Sequence, residues 1–118
     1  MLASVHIADL GPRRTLATIA KRRSRIAAPG LRNANLALGA RLGGSLLTKP
    51  DFGRAALIAM WDADSDIDRF LETEFGATFA SGWHVRLEPL RAWGSWPGLP
   101  DDLPKARTVE HDGPVAVL

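Results

Sequence analysis

Alternating apolar and polar residues open the chain and predict a strand that is buried on one face. In ASVHIA, residues 3–8, Val5 and Ile7 have one parity while Ser4 and His6 have the other. Because Val5 and Ile7 are apolar, we expect them to face the helices and the core. Ser4 and His6 are then expected on the opposite, open face of the sheet.

The segment WHVRLEPL, residues 83–90, alternates in the same way and predicts the last strand. Trp83 is expected to pack under the second helix, with Val85 and Leu87 on the same face. Three polar residues are expected to project away from the helices: His84, Arg86 and Glu88. Arg86 on that face would pair with Glu88, reach water or meet an acidic group of a partner.

Two further strands are predicted between the first and the last strand of the sequence. LRNANLALGARL, residues 31–42, alternates at Leu36, Leu38 and Ala40 and is closed by glycines at 43 and 44. RAALIAMW, residues 54–61, is apolar at both parities. That pattern is typical of a strand covered on both faces.

Apolar residues at helical spacing predict two helices. The first runs from Pro12 to about Arg23. The second follows an N-cap at Asp64 or Ser65 and runs to about Glu74. Its buried stripe consists of four apolar residues: Ile67, Phe70, Leu71 and Phe75. A further turn is expected between this helix and the last strand, around a phenylalanine at position 79.

The order strand, helix, strand, strand, helix, strand predicts an α+β fold of the ferredoxin-like βαββαβ type. Its antiparallel sheet of four strands would carry both helices on one face and leave the other face open. We place this domain at residues 1–100. Residues 101–118 are expected to be a polar linker followed by PVAVL, the start of a further strand.

The stretch RAWGSWPGLP, residues 91–100, sets two tryptophans among residues that end regular structure. We therefore expect Trp93 and Trp96 either at a buried strand end or on an exposed surface that binds another molecule. Burial against a partner is one interpretation. Contact with a membrane or an apolar ligand is the other, since indole rings favour amphipathic boundaries.

Composition narrows the class of protein. The chain has 118 residues, a formal net charge of +2 and no cysteine, so thiolate metal sites and thiol nucleophiles are excluded. Six basic residues between Arg13 and Arg25 form either a solvated helix face or an anion-binding patch. The pattern predicts neither a signal peptide nor a membrane span, which favours a cytoplasmic protein, either free or in peripheral contact with a membrane.

Several known functional motifs are only partly matched, because the residues or structural elements that they require are missing. RNA-recognition modules carry aromatic residues on the third strand, where this chain has aliphatic ones, so nucleic-acid binding is not expected. GARLGGS, residues 39–45, lacks the ending of a phosphate-binding loop, and no serine lies in G-x-S-x-G. The aspartates from Asp62 to Asp68 lack the glycine and distal glutamate of a calcium loop, which favours helix capping.

Four segments resemble the N-terminal half of the spheroidene monooxygenase family of carotenoid-modifying enzymes. They are HIADLG (6–11), LGGSLL (42–47), ALIAMWD (56–62) and WHVRLEPLRAWGSWPG (83–98). The resemblance implies two ferredoxin-like halves that form an α+β barrel of the dimeric type. It also implies a monooxygenase that uses molecular oxygen and haem to place a keto group on an acyclic carotenoid.

On this resemblance the chain is one half of the architecture, completed by a second copy or by a missing second half. Haem needs an axial ligand, and the chain has only three histidines, His6, His84 and His111, so either one of them or a group in the other half would serve. Catalytic residues and metal ligands stay unassigned. The candidates for a ligand pocket are His6, His84, Arg86, Trp93 and Trp96. The alternative function is a half-domain without catalysis, or a dimeric module that binds a hydrophobic ligand.

Overall fold

Four strands and three helices make up the regular structure of residues 1–20, 26–40 and 50–117, the part of the chain that the computed structural model describes. The strands are β1 (Leu2–Asp9), β2 (Leu31–Ala40), β3 (Pro50–Trp61) and β4 (Trp83–Leu87). The helices are α1 (Pro12–Ala20), α2 (Asp64–Leu71) and α3 (Ala77–Ala80). Within the described ranges the longest helix has nine residues, and no helix there is long and apolar enough to cross a membrane.

The strands form one antiparallel sheet with the order β2-β3-β1-β4. β1 and β3 are central, and they pair along their length from Leu2 opposite Trp61 to Asp9 opposite Arg54. β2 and β4 are the edges, with ten and five residues. The predicted α+β class and the four-stranded antiparallel sheet are therefore confirmed.

The main core lies on one face of the sheet. Residues paired across antiparallel strands share a face, so His6 and Leu57, which are paired, point to the same side. The buried cluster on that side contains residues of the sheet and of the helices after β3: Ala8, Leu36, Ala55, Leu57, Ala59, Trp61, Ile67, Phe70 and Phe79. Ile19 of α1 packs against the same cluster. Both longer helices therefore cover this face, which we call the helix face; the other is the open face.

The start of α2 shows how the aspartates of this region are used. Ala63, and not Asp64 or Ser65 as the sequence predicts, is the N-cap, and no side chain caps it in the usual way. Instead the carboxylate of Asp66 accepts a hydrogen bond from the Ala63 N–H at 3.0 Å, and the Asp66 N–H donates to the Ala63 carbonyl at 3.2 Å. Asp64 and Asp66 lie in the first turn, where they favour the positive end of the helix dipole.

The faces of β1 are opposite to the predicted ones. Ser4 and His6 are fully buried on the helix face. Val5 and Ile7 lie on the open face, where Val5 is 8% and Ile7 is 36% exposed. The prediction was wrong because alternation treats serine and histidine as solvent-facing. Here Trp61 and the two polar side chains satisfy one another by hydrogen bonds inside the core.

The inversion extends across the sheet to β4. His84 and Arg86 pair with His6 and Ser4, so they face the helices and do not project away from them. Trp83 does not pack under the second helix. Its side chain is 58% exposed and lies on the open face, as do Val85 and Leu87. A shift of one residue in the assumed facing accounts for all these corrections.

Other predicted boundaries differ by a few residues. β3 begins at Pro50 instead of Arg54, β4 ends at Leu87 instead of Leu90, and α2 ends at Leu71 instead of Glu74. The predicted turn around Phe79 is confirmed as α3. The end of the first predicted helix, the end of the second strand and the glycine turn at 43 and 44 lie outside the described residues.

Truncating neighbouring residues of β3 tests the two faces. Leu57 is fully buried on the helix face, so Leu57→Ala should lower the free energy of unfolding by about 2–5 kcal/mol. Ile58 is only partly buried on the open face, so Ile58→Ala should cost clearly less. Urea denaturation of the two variants measures the difference. A larger loss for Ile58→Ala would contradict the facing described here.

Candidate functional site

A polar network is enclosed between the sheet and α2. The indole Nε1 of Trp61 donates a hydrogen bond to Ser4 Oγ at 2.8 Å, and Ser4 Oγ lies 2.9 Å from His6 Nε2. All three side chains are fully buried. The rings of Phe70 and Phe79 approach the His6 imidazole edge-on, with centroids at 6.3 and 6.4 Å. His6 therefore sits in an aromatic pocket of the core.

The hydrogen bonds of this network define the tautomer of His6. Because Ser4 Oγ already accepts from the Trp61 indole, its own proton is free to point at His6 Nε2. The ring proton then lies on Nδ1, which finds no partner within the described residues. The opposite tautomer would leave two polar groups without a hydrogen-bond partner, the Ser4 hydroxyl proton and the Nδ1 lone pair. One unpaired group is the smaller cost.

His84 lies directly over His6 on the neighbouring strand. The two rings stack with centroids 5.7 Å apart, and the His84 side chain is exposed. Burial, followed by the charges of His84 and Arg86, lowers the pKa of His6 from its ordinary value to about 4. His6 is therefore neutral at physiological pH, and protonation would place a charge inside the core.

Arg86 joins β4 to α2. Its Nη1 donates to Asp64 Oδ2 at 2.7 Å and its Nη2 donates to Asp68 Oδ1 at 2.5 Å. Asp64 and Asp68 are four residues apart, so both carboxylates lie on the same side of the helix. The hydrogen bonds to these carboxylates raise the pKa of the guanidinium above its ordinary value, and the bond to Asp68 contributes more than the bond to Asp64. Arg86 therefore pairs with two aspartates of its own chain, and not with Glu88 as the sequence predicts.

This arrangement limits the chemistry that the cluster can perform. Ser4 and His6 are fully buried, so a substrate has no access to the hydroxyl or to the imidazole. No set of three or more histidine, aspartate or glutamate side chains that could bind a metal ion occurs in residues 1–20, 26–40 and 50–117. The network is built as a folding element and not as a nucleophile with its base.

His6 does not fit the haem that the sequence resemblance implies. An axial ligand must present a free ring nitrogen to a space as wide as the porphyrin, but His6 has Nε2 bonded to Ser4 and Nδ1 enclosed by the core. The cavities along residues 26–36 (about 490 Å³) and 92–105 (about 260 Å³) are lined by neither His6 nor His84. We therefore derive no step of a mechanism through haem.

The open face carries the second feature of interest. Ile7 and Trp83 pair across β1 and β4, and both are exposed. Four apolar neighbours share this face through the same pairings: Val5, Ala56, Ile58 and Val85. We call these six residues the apolar patch. It ends at an ion pair in which Arg54 Nε lies 3.7 Å from Asp9 Oδ2.

The five predicted pocket residues fall into two groups. His6, His84 and Arg86 come together on the helix face, as described above. Trp93 and Trp96 lie in the segment after β4, and the Trp93 side chain is 77% exposed. In the single chain, both tryptophans therefore lie at the surface and not at a buried strand end.

Comparison with protein-family models, with curated proteins and with solved structures finds no match to this chain.

Two contacts of the cluster were missed by sequence reasoning. The pairing of Ser4 with Trp61 joins residues far apart in sequence and leaves no local signal. The partners of Arg86 do leave one, because aspartates at 64 and 68 have the spacing of one helix face. A cation on the adjoining strand was the natural complement to that pair.

Acid should destabilise the fold through His6. A histidine with a pKa near 4 when folded and about 6.5 when unfolded contributes stability that is complete above pH 6.5 and is lost as the pH falls towards 4. The full effect is about 3 kcal/mol. Thermal or urea unfolding of the wild type and of His6→Gln between pH 7 and pH 4 should show a steeper loss for the wild type.

The matched control for this experiment is His111→Gln, since His111 is an exposed histidine in the tail. It should follow the wild type at every pH. Equal pH dependence of the wild type and His6→Gln would show that His6 is not the source of the loss of stability in acid.

Arg86→Met should destabilise the domain by about 1 kcal/mol, because it leaves two carboxylates of α2 without their partner. The loss should shrink at high salt. Arg54→Met is the control: Arg54 lies 3.7–3.9 Å from its carboxylates and is more exposed, so its removal should cost little. Urea midpoints at low and high salt measure both, and equal losses would contradict the bridging role.

Proposed function

We propose that this chain is a ferredoxin-like half-domain that pairs with a second copy of itself through the open face of its sheet. The space between the two sheets would receive an elongated apolar molecule. The strand order β2-β3-β1-β4, with both longer helices on one face, supports the ferredoxin-like assignment. The proposal develops the binding-module alternative that the sequence leaves open.

The exposed pair of Ile7 and Trp83 carries the proposal. A tryptophan that is 58% exposed and paired with an exposed isoleucine across two strands is costly in water. Soluble monomers rarely keep contiguous apolar surface of this kind unless it binds something. The apolar patch therefore has the character of an interface core.

A second copy is the occupant that matches this surface best. A two-fold axis would place the same apolar residues on both sides, so the patch would complement itself. The ion pair of Asp9 and Arg54 at its border would supply a polar rim. Two sheets packed face to face in this way form the barrel-like dimer that the sequence resemblance implies.

The sequence resemblance suggests the ligand. An acyclic carotenoid is long and apolar, as a space between two such faces requires, and its oxygen-dependent ketolation is the reaction to test once binding is measured. Catalytic groups and haem ligands would then have to come from outside the buried histidine cluster. Trp93 and Trp96 are the side chains that would enter a lipid interface if the protein works at the periphery of a membrane.

Association should depend on the apolar patch. Sedimentation equilibrium at tens of micromolar should show a dimer for the wild type, and Trp83→Lys should shift it to monomer by placing an unpaired charge in the interface. Leu16→Lys is the matched control, because Leu16 is an equally exposed apolar residue on α1. A monomeric wild type, or equal loss of dimer in both variants, would overturn the proposal.

Binding of the ligand should quench the indole at the patch. Titration of the protein with an acyclic carotenoid in mild detergent should quench tryptophan fluorescence, and Trp83→Phe should lose most of that quenching. Trp93→Phe serves as the control. Quenching that instead follows Trp93 would place the ligand outside the sheet, and oxygen consumption with bound carotenoid tests the monooxygenase reaction directly.

A further inference from the structure

The segment after β4 folds back and closes on itself. Arg91 Nη1 donates hydrogen bonds to the carbonyls of Ala106 and Arg107 at 2.8 and 2.5 Å. Next to it, the Ala92 N–H donates to the Pro104 carbonyl at 3.3 Å. Residues 91–107 therefore form a loop whose ends are fastened together, and we call it the strap. Such closed loops move as units when their contacts with the rest of the fold are few.

The strap lies on the open face, at the end away from the exposed pair Ile7 and Trp83. At Gly98 a Cβ atom would lie only 2.7 Å from the Asn33 Cβ and 3.3 Å from the Met60 Cβ. Gly98 also has a φ of +89°, a conformation that favours glycine. The backbone of the strap thus rests directly on β2 and β3.

The strap explains an uneven burial along one face. Ala3 and Met60 are paired, belong to the open face and are only 3% and 4% exposed, although they lie outside the helix-face cluster. Farther along the same face, Ile7 and Trp83 are exposed, and Ala56, Ile58 and Val85 are partly exposed. Val5 lies between Ala3 and Ile7 on this face, so the covered area is continuous with the apolar patch.

Packing alone holds the strap on the sheet. Its hydrogen bonds are internal, such as those from the Leu99 N–H to the Trp96 carbonyl and from the Leu103 N–H to the Pro100 carbonyl. Between the strap and the strands, as far as the chain is described, no hydrogen bond is formed. Segments held by few contacts open at a much lower free energy than the domain unfolds.

We propose that the strap is a displaceable cover of the open face, which opens as a unit while the sheet stays folded. Opening uncovers Met60 and extends the exposed apolar surface along β3. The strap therefore competes with any partner that needs the whole face. This inference concerns the chain by itself and does not depend on the association proposed above.

Thiol labelling measures the opening, and the natural chain has no cysteine to interfere. Met60→Cys places a thiol under the strap. Ala59→Cys places one on the helix face of the same strand, where Ala59 is fully buried. At a protein concentration that keeps the chain monomeric, and with equal unfolding free energies checked in urea, Cys at position 60 should react about a hundredfold faster than Cys at 59.

A second variant tests the fastening. Arg91→Ala in the Met60→Cys background should raise the labelling rate several-fold, because it releases the two ends of the strap, and should leave the rate in the Ala59→Cys background unchanged. Equal rates at positions 59 and 60 would overturn the proposal, since both thiols would then be reached only by global unfolding. No effect of Arg91→Ala would overturn the role of the fastened ends.

Discussion

The hydrogen bond from the Trp61 indole to the Ser4 hydroxyl decides which way the central strand of the sheet faces. Without it, Ser4 and His6 would have only each other as hydrogen-bond partners in an apolar core, the Trp61 indole N–H would be unpaired, and the opposite facing of β1 would become more favourable. With it, the large indole fills the centre of the helix face and His6 follows Ser4 into the interior. Because paired residues share a face, this choice on β1 fixes the facing of β4, and hence brings Arg86 to α2.

The sequence was enough to predict the class of fold, the existence of each strand and the two main helices, because these depend on local periodicity. It was not enough to predict which faces of β1 and β4 point towards the helices. Alternation shows that Val5 and Ser4 point in opposite directions, but not which of them points inward, since a distant partner such as Trp61 can satisfy a buried hydroxyl. The grouping of His6, His84 and Arg86 was foreseen; their place against the helices was not.

The two faces of the sheet differ in how they exclude water. On the helix face, aromatic rings of α2 and α3 and the buried network fill the space next to β1 and β3. On the open face, cover comes from a backbone segment that touches the sheet through a glycine. The first solution is rigid and specific. The second leaves part of the apolar surface bare and makes the rest available at low cost.

The bridge from Arg86 to α2 also bears on how the domain comes apart. β4 is the shortest strand, lies at an edge and pairs only with β1, so its own backbone hydrogen bonds hold it weakly. Because Arg86 of β4 is bonded to Asp64 and Asp68 of α2, we expect the strand and the helix to unfold and refold together as one cooperative unit. Amide protons of β4 would then exchange with solvent at the pace of α2.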